Sequence, residues 1–187
     1  MKKQLVSPLH VLITAVLITV IVLSRYLPHG ANFTPVAGIA LLSGLLLADR
    51  RLALVVPVAG MLLSDLLFAG TYSVGVMLVV YLSFTLPVFW ARKNWAMHLG
   101  LTGKLAWLGE GVLKGLAATV AFYLLSNLAV FVFTPMYTKS LSGLLQCYIN
   151  ALPFVRPILA ANLIYAIAAC GVVAAVPLTF KVVRKTV

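Results

Sequence analysis

Apolar residues run along the chain in long blocks, and short polar or basic clusters separate the blocks. The block lengths predict six helices. Helix 1 covers about Leu9–Leu27 and is broken by Pro28-His29-Gly30-Ala31-Asn32. Helix 2 runs from about Pro35 to Ala48, short for a full membrane crossing, and Asp49-Arg50-Arg51 forms a tight turn. Helix 3 runs from Leu52 to Ala69, and Gly70-Thr71-Tyr72-Ser73 turns the chain into helix 4, Val74 to Trp90. A polar connection from Arg92 to Lys104 leads to helix 5, about Gly109 to Phe133. Thr134–Arg156 reads as a loop followed by a short amphipathic piece around Leu141–Leu152. Helix 6 runs from about Pro157 to Phe180, and Lys181, Arg184 and Lys185 follow.

Composition decides what these helices are for. Of 187 residues, 63% are hydrophobic and 9% charged, against about 45–50% and about 25% in ordinary soluble domains. Three Asp and Glu with 14 Lys and Arg cannot cover a soluble surface of that size. The expected fold is therefore an all-α membrane protein of six transmembrane helices, a single transmembrane domain over residues 1–187. Six spans of about 20 residues each leave enough chain for the loops. Lys2 and Lys3 before Val11–Leu23 resemble a signal peptide, but Arg25-Tyr26-Leu27-Pro28 follows in place of a small-residue cleavage box, so the segment reads as a retained helix.

The net charge of +11 is spread over short clusters between apolar runs. That pattern sets topology and does not form a nucleic-acid patch, so no nucleic-acid partner is expected. With the N-terminus in the cytoplasm, ten Lys and Arg fall in inner segments. Arg25, Lys139 and Arg156 fall outside, and Lys114 lies within helix 5, able to pair with Glu110 one turn earlier. Both termini are expected to be cytoplasmic, and the lipid bilayer of a bacterial inner membrane is the expected environment. Cys147 and Cys170 lack the close spacing of a metal pair, and an apolar bundle needs no disulfide.

In this topology the polar residues that are not topology signals gather in the outer half. Asp65 is the one acid deep in an apolar run, and Tyr81, Asn127 and Asn162 lie in the outer parts of helices 4, 5 and 6. His29, Asn32, Tyr148, Asn150 and Arg156 lie in the outer connections. Intramembrane polar groups are expensive and face the bundle interior, so a pocket open to the outside is expected. Its candidate ligand-binding residues are His29, Asn32, Asp65, Tyr81, Tyr148, Arg156 and Asn162. Each also has a purely architectural reading. Asp65 could pair with Arg156 or Arg25 to fix helix packing. Arg156 could snorkel to the interface, and Asn127 and Asn162 could join helices. Tyr72 and Tyr137 fit an interfacial aromatic belt. Tyr81 is too deep for that belt and needs a buried partner. Between Pro28 and Pro35, two prolines and a glycine forbid a continuous helix, so this stretch is either a pocket wall or a plain loop. Gly111-x-x-x-Gly115, Ala117-x-x-x-Ala121 and Gly171-x-x-x-Ala175 allow close helix approach.

Catalytic patterns are missing. The chain has no Gly-x-x-x-x-Gly-Lys-[Ser/Thr] loop, no His-Glu-x-x-His helix and no Gly-x-Ser-x-Gly elbow, and one deep acid cannot form an aspartyl dyad. An enzyme is not expected.

Leu27-Pro28-His29-Gly30-Ala31-Asn32-Phe33-Thr34-Pro35-Val36, Met61-Leu62-Leu63-Ser64-Asp65-Leu66, Val80-Tyr81-Leu82-Ser83-Phe84 and Gly143-Leu144-Leu145-Gln146-Cys147-Tyr148 with Leu152-Pro153-Phe154-Val155-Arg156 carry a family resemblance. They resemble a group of small six-helix bacterial membrane proteins, similar in turn to the S components of energy-coupling-factor vitamin transporters. Within that group the chain is most similar to BtuM-like cobalamin-uptake proteins. The resemblance spans about residues 25 to 165. It implies an S-component-like bundle with an outward pocket whose polar residues are His29, Asp65, Tyr81 and Arg156. It also implies a coupling membrane protein driven by two ATPases as partner. The implied ligand is cobalamin or another corrinoid, whose peripheral amides suit Asn, Tyr and Arg. The chain needs no cofactor of its own in this reading; cobalamin is the transported ligand. The cysteine that some BtuM-like proteins place early in helix 4 is absent, since Val76, Met77 and Leu78 stand there, so His29 is the candidate axial ligand to cobalt. The group's alanine-spaced docking motif on helix 1 is also unmatched, with Thr19 four residues after Ala15.

The expected function is thus a substrate-binding membrane subunit for uptake of a vitamin-like compound. Two rivals come from other classes. One is a non-transport scaffold or assembly protein using the small-residue faces. The other is a membrane enzyme acting on the corrinoid or a lipid.

Overall fold

The computed structural model describes residues 7–28, 30, 32–68 and 73–175. Within them the chain forms seven helices and no strand: α1 (Pro8–Tyr26), α2 (Val36–Leu46), α3 (Arg50–Phe68), α4 (Val74–Trp90), α5 (Trp95–His98), α6 (Gly103–Phe133) and α7 (Leu141–Ala175). Ser7 caps α1, its Oγ accepting from the His10 amide at 3.3 Å, and Pro8 takes the first helical position, where its missing N–H costs nothing.

Three helices, Pro8–Tyr26, Leu105–Phe133 and Leu141–Ala175, are long and apolar enough to cross a membrane, and α2 and α4 are shorter apolar helices. Leu12, Val16 and Val20 of α1, Leu78 and Leu82 of α4, and Leu116, Val120 and Leu124 of α6 are all exposed. An outer surface of that kind is compatible with a membrane protein and costly in water.

The centre is α2. It packs against α1, α3, α4, α6 and α7, and eight of its 11 residues are buried. A helix apolar all round is a core element, which explains why its shortness is tolerated. Gly38 lets it meet α7: a Cβ there would lie 2.3 Å from the Tyr165 Cβ. Arg92 closes the C-terminus of α2, donating from Nε to the Gly44 carbonyl at 3.0 Å and from Nη2 to the carbonyls of Ala48, at 3.3 Å, and Leu47. Those carbonyls have no partner inside α2, and a cation at a helix C-terminus also meets its negative end.

On one side of α2, α1 rests on α3; on the other, α6 and α7 pair along their length, with α4 between α3 and α6. The Gly111 and Gly115 pair performs the close approach expected of it. A Cβ at Gly111 would meet the Ile167 Cα at 2.5 Å, and one at Gly115 the Asn162 carbonyl oxygen at 2.8 Å. Cys147 and Cys170 are buried and unbridged.

The structure corrects the expected segmentation in four places. Arg50 and Arg51, expected in a tight turn, are the first residues of α3. The Arg92–Lys104 connection contains the short helix α5. The fifth predicted helix starts at Gly103 and not near Gly109; inside it Glu110 and Lys114 pair at 2.7 Å, as expected. The amphipathic piece and the sixth predicted helix are one continuous α7 of 35 residues that runs through Pro153 and Pro157. A proline removes one backbone donor and crowds the preceding turn, and packing against a neighbouring helix offsets the loss.

Candidate functional site

Most hydroxyls that interrupt the apolar helices are satisfied locally. Thr14, Ser64, Ser83, Thr85, Thr119 and Ser126 each donate to a carbonyl one turn back. Such back-bonding takes a polar group out of play. Of the polar side chains whose partners lie on other helices, one group converges at one end of the bundle.

There, between the ends of α1 and α3 and the first half of α4, lies a cavity of about 390 Å³. Asp65, one turn before the end of α3, is its hub. Its Oδ1 forms an ion pair with Arg25, next to last in α1. Its Oδ2 accepts the Tyr81 hydroxyl at 2.5 Å from α4. Arg25 also points Nη1 at the Met61 sulfur, 3.1 Å away. The Asp65 side chain is 7% exposed and that of Arg25 25%. A carboxylate this buried needs both bonds, since an unpaired buried charge is far costlier than an unpaired neutral group.

Asn32, Thr34 and Asn162 add polar groups to the lining. Asn32 holds a left-handed backbone at φ 61, a conformation asparagine tolerates better than most residues. The buried Asn162 donates to the Thr119 hydroxyl at 3.1 Å, tying α7 to α6 at the cavity wall. The rest is apolar: Val76, Met77, Val80, Phe84, Phe122 and Ile158 among others. The Phe84 and Phe122 rings pack on each other, 5.0 Å apart at 32°, joining α4 to α6 at the wall.

Of the seven candidates, the structure brings Asn32, Asp65, Tyr81 and Asn162 together at this cavity. His29, including its candidate role toward cobalt, lies outside the described residues, as does Tyr72. Tyr148 lies apart from the cavity, in the α6–α7 seam: its hydroxyl donates to the Leu124 carbonyl at 2.8 Å, and its own carbonyl accepts from Tyr123 at 2.7 Å. Arg156 is exposed on α7 and does not line the cavity. Helix geometry gives the reason. At about 100° per residue, Arg156 is turned about 120° from Asn162, and Tyr148 shares the Asn162 face but sits about 21 Å along the axis. Arg25 also lines the cavity and is not among the ligand-binding candidates. Its role is the architectural alternative read from the sequence, in which Asp65 pairs with Arg156 or Arg25, and Arg25 is the partner. Asn127, read as a residue that could join helices, donates back to the Tyr123 carbonyl of its own helix at 2.8 Å.

A second polar group occupies the opposite end. Lys114, its side chain 3% exposed, pairs with Glu110 and donates to the Ala91 carbonyl at 2.8 Å. Glu110 in turn accepts the Ala96 amide at 2.6 Å, fixing α5 on α6. These contacts border a cavity of about 440 Å³ that also touches Arg92, Trp107 and Cys170. Every charge here is used to join helices.

No curated protein and no solved structure matches the chain. Residues 7–183 match a family described as a family of unknown function, DUF6580, and the protein belongs to that family.

Proposed function

We propose that the protein is the substrate-binding membrane subunit of an uptake system for a vitamin-like molecule. The carrying observation is the cavity of about 390 Å³ at one end of the bundle, built around Arg25, Asp65 and Tyr81 from three different helices. A buried ion pair is a poor stabiliser compared with apolar packing of the same volume. Its presence on the wall of an open cavity is better explained by a ligand that uses it. In this reading the six apolar segments cross the bacterial inner membrane, both termini are cytoplasmic, and the Asp65 end faces outward. The ten-to-three distribution of Lys and Arg supports that orientation. The resemblance to S components supports a coupling membrane protein with two ATPases as partner.

Cobalamin is the first ligand to assay. The cavity holds about 13 waters at about 30 Å³ each, so it encloses a small ring system wholly and a corrinoid by one edge. The test is the absorbance spectrum of protein purified from cells grown with cobalamin, followed by titration. Corrinoid bands that co-purify, and that are lost in Asp65→Ala while the protein stays folded, are expected. Colourless protein that binds neither cobalamin nor any vitamin in a thermal-shift screen overturns the proposal.

A further inference from the structure

We infer that the part of the ligand entering the Asp65 cavity is an uncharged ring that meets the protein through an amide- or hydroxyl-type edge. The inference rests on the binding role proposed above and comes from the charge inventory of the wall. Among the described residues, the lining holds one cation, Arg25, and one anion, Asp65, and they are bonded to each other. Both Asp65 oxygens are engaged, one by Arg25 and one by Tyr81.

An anionic ligand would have to share Arg25 with Asp65, setting two negative groups around one positive group inside a mostly apolar wall. A cationic ligand would crowd Arg25 around Asp65 in the same way. A zwitterion would have to separate the pair. Each loses hydration that the cavity does not replace. An uncharged group loses far less and finds donors and an acceptor ready. The Arg25 guanidinium has more N–H groups than its bonds to Asp65 and Met61 use, so it can donate to a ligand carbonyl. Tyr81 gives its hydrogen to Asp65, so its oxygen is free to accept a ligand N–H. A carbonyl beside an N–H is the edge of a carboxamide or a lactam. Val80, Phe84, Phe122 and Ile158 of the lining offer the rest of the ring apolar surface.

The experiment is calorimetric titration of the full chain in detergent with matched pairs that differ in one ionisable group. The pairs are cyanocobalamin with its monocarboxylic acid, nicotinamide with nicotinate, and pyridoxine with pyridoxine phosphate. In every pair that binds, the uncharged member is expected to bind at least tenfold tighter. In Asp65→Asn, which leaves Arg25 without its anion, the preference should shift toward the anionic member. Equal or tighter binding of the charged member by the unaltered protein overturns the inference and leaves the uptake reading standing. Failure of every compound to bind, with no response to any other vitamin in the thermal-shift screen, overturns both. If Asp65→Asn does not fold, the pairs measured on the unaltered protein still decide.

Discussion

Replacing Asp65 with leucine strips two bonds at once and leaves the Arg25 guanidinium without its anion in a site where the carboxylate is 7% and the arginine side chain 25% exposed. Removing one partner of a buried pair costs about 3–5 kcal/mol. Arg25 keeps partial access to solvent and its contact with Met61, so the lower end of that range, about 3 kcal/mol, is expected for Asp65→Leu. Arg25→Met strands the carboxylate instead, with Tyr81 as its remaining partner, and a cost of about 3–4 kcal/mol is expected. The double variant removes the stranded charge together with its partner. It should lose only the Tyr81 bond and some packing, about 1–2 kcal/mol, and so be more stable than either single variant. The assay is equilibrium unfolding of the four proteins in mixed detergent, analysed as a double-mutant cycle. If the double variant is destabilised by the sum of the singles, Arg25 and Asp65 are not coupled and the account of the cavity fails. Ligand affinity measured on the same proteins should fall in all three variants, including the stable double, because stability and recognition make different uses of the pair.

Tyr81→Phe should cost about 1–2 kcal/mol in the same unfolding assay, since it deletes a charge-assisted bond to Asp65; an unchanged midpoint would count against that bond. Gly38→Val should destabilise by at least about 2 kcal/mol by thermal unfolding, because its Cβ would strike the Tyr165 Cβ and the carbonyl carbon of the same residue, 2.9 Å away, which cannot rotate aside. Arg92→Ala should cost about 1–2 kcal/mol and raise hydrogen exchange at the C-terminal end of α2, and Arg92→Lys should restore little, because one ammonium cannot span the Gly44 and Ala48 carbonyls.

Period and punctuation in the sequence made the first four helices legible to within a few residues, since Pro28 follows the end of α1 and Asp49 stands just before α3. The later segments were harder for identifiable reasons. The expected pairing of Glu110 with Lys114 holds, but Trp95 to Leu108 mixes polar and apolar residues too evenly to show α5 or the early start of α6. Pro153 and Pro157 look like breaks until the partner helix is seen to hold α7 through both. The cavity was legible to the extent that polarity in an apolar run is a signal: Asp65, Tyr81 and Asn162 stand out, and Asn32 lies in the one irregular connection rich in proline. Arg25 was legible only as one of two possible partners of Asp65, because a basic residue at a helix end looks the same whether it meets water or a buried acid. Arg156 and Tyr148 looked equivalent to the others in linear order. Only the rotation and rise of a continuous α7 move them off the cavity.

The placement of α1 carries a mechanical consequence. Among the described helices it rests on α2 and α3 alone, through Thr14, Leu17 and Ile21, and its ionic tie to α3 is the bond from Arg25 to Asp65. The latch that holds α1 therefore sits inside the candidate site. A molecule that competes for Asp65 or Arg25 would loosen α1, whereas an uncharged ligand that bridges the intact pair would tighten it, and by reciprocity a partner that pulls on α1 would change the affinity of the cavity by the same factor. In the proposed uptake role, occupancy of the cavity and attachment of the first helix would be a single linked equilibrium.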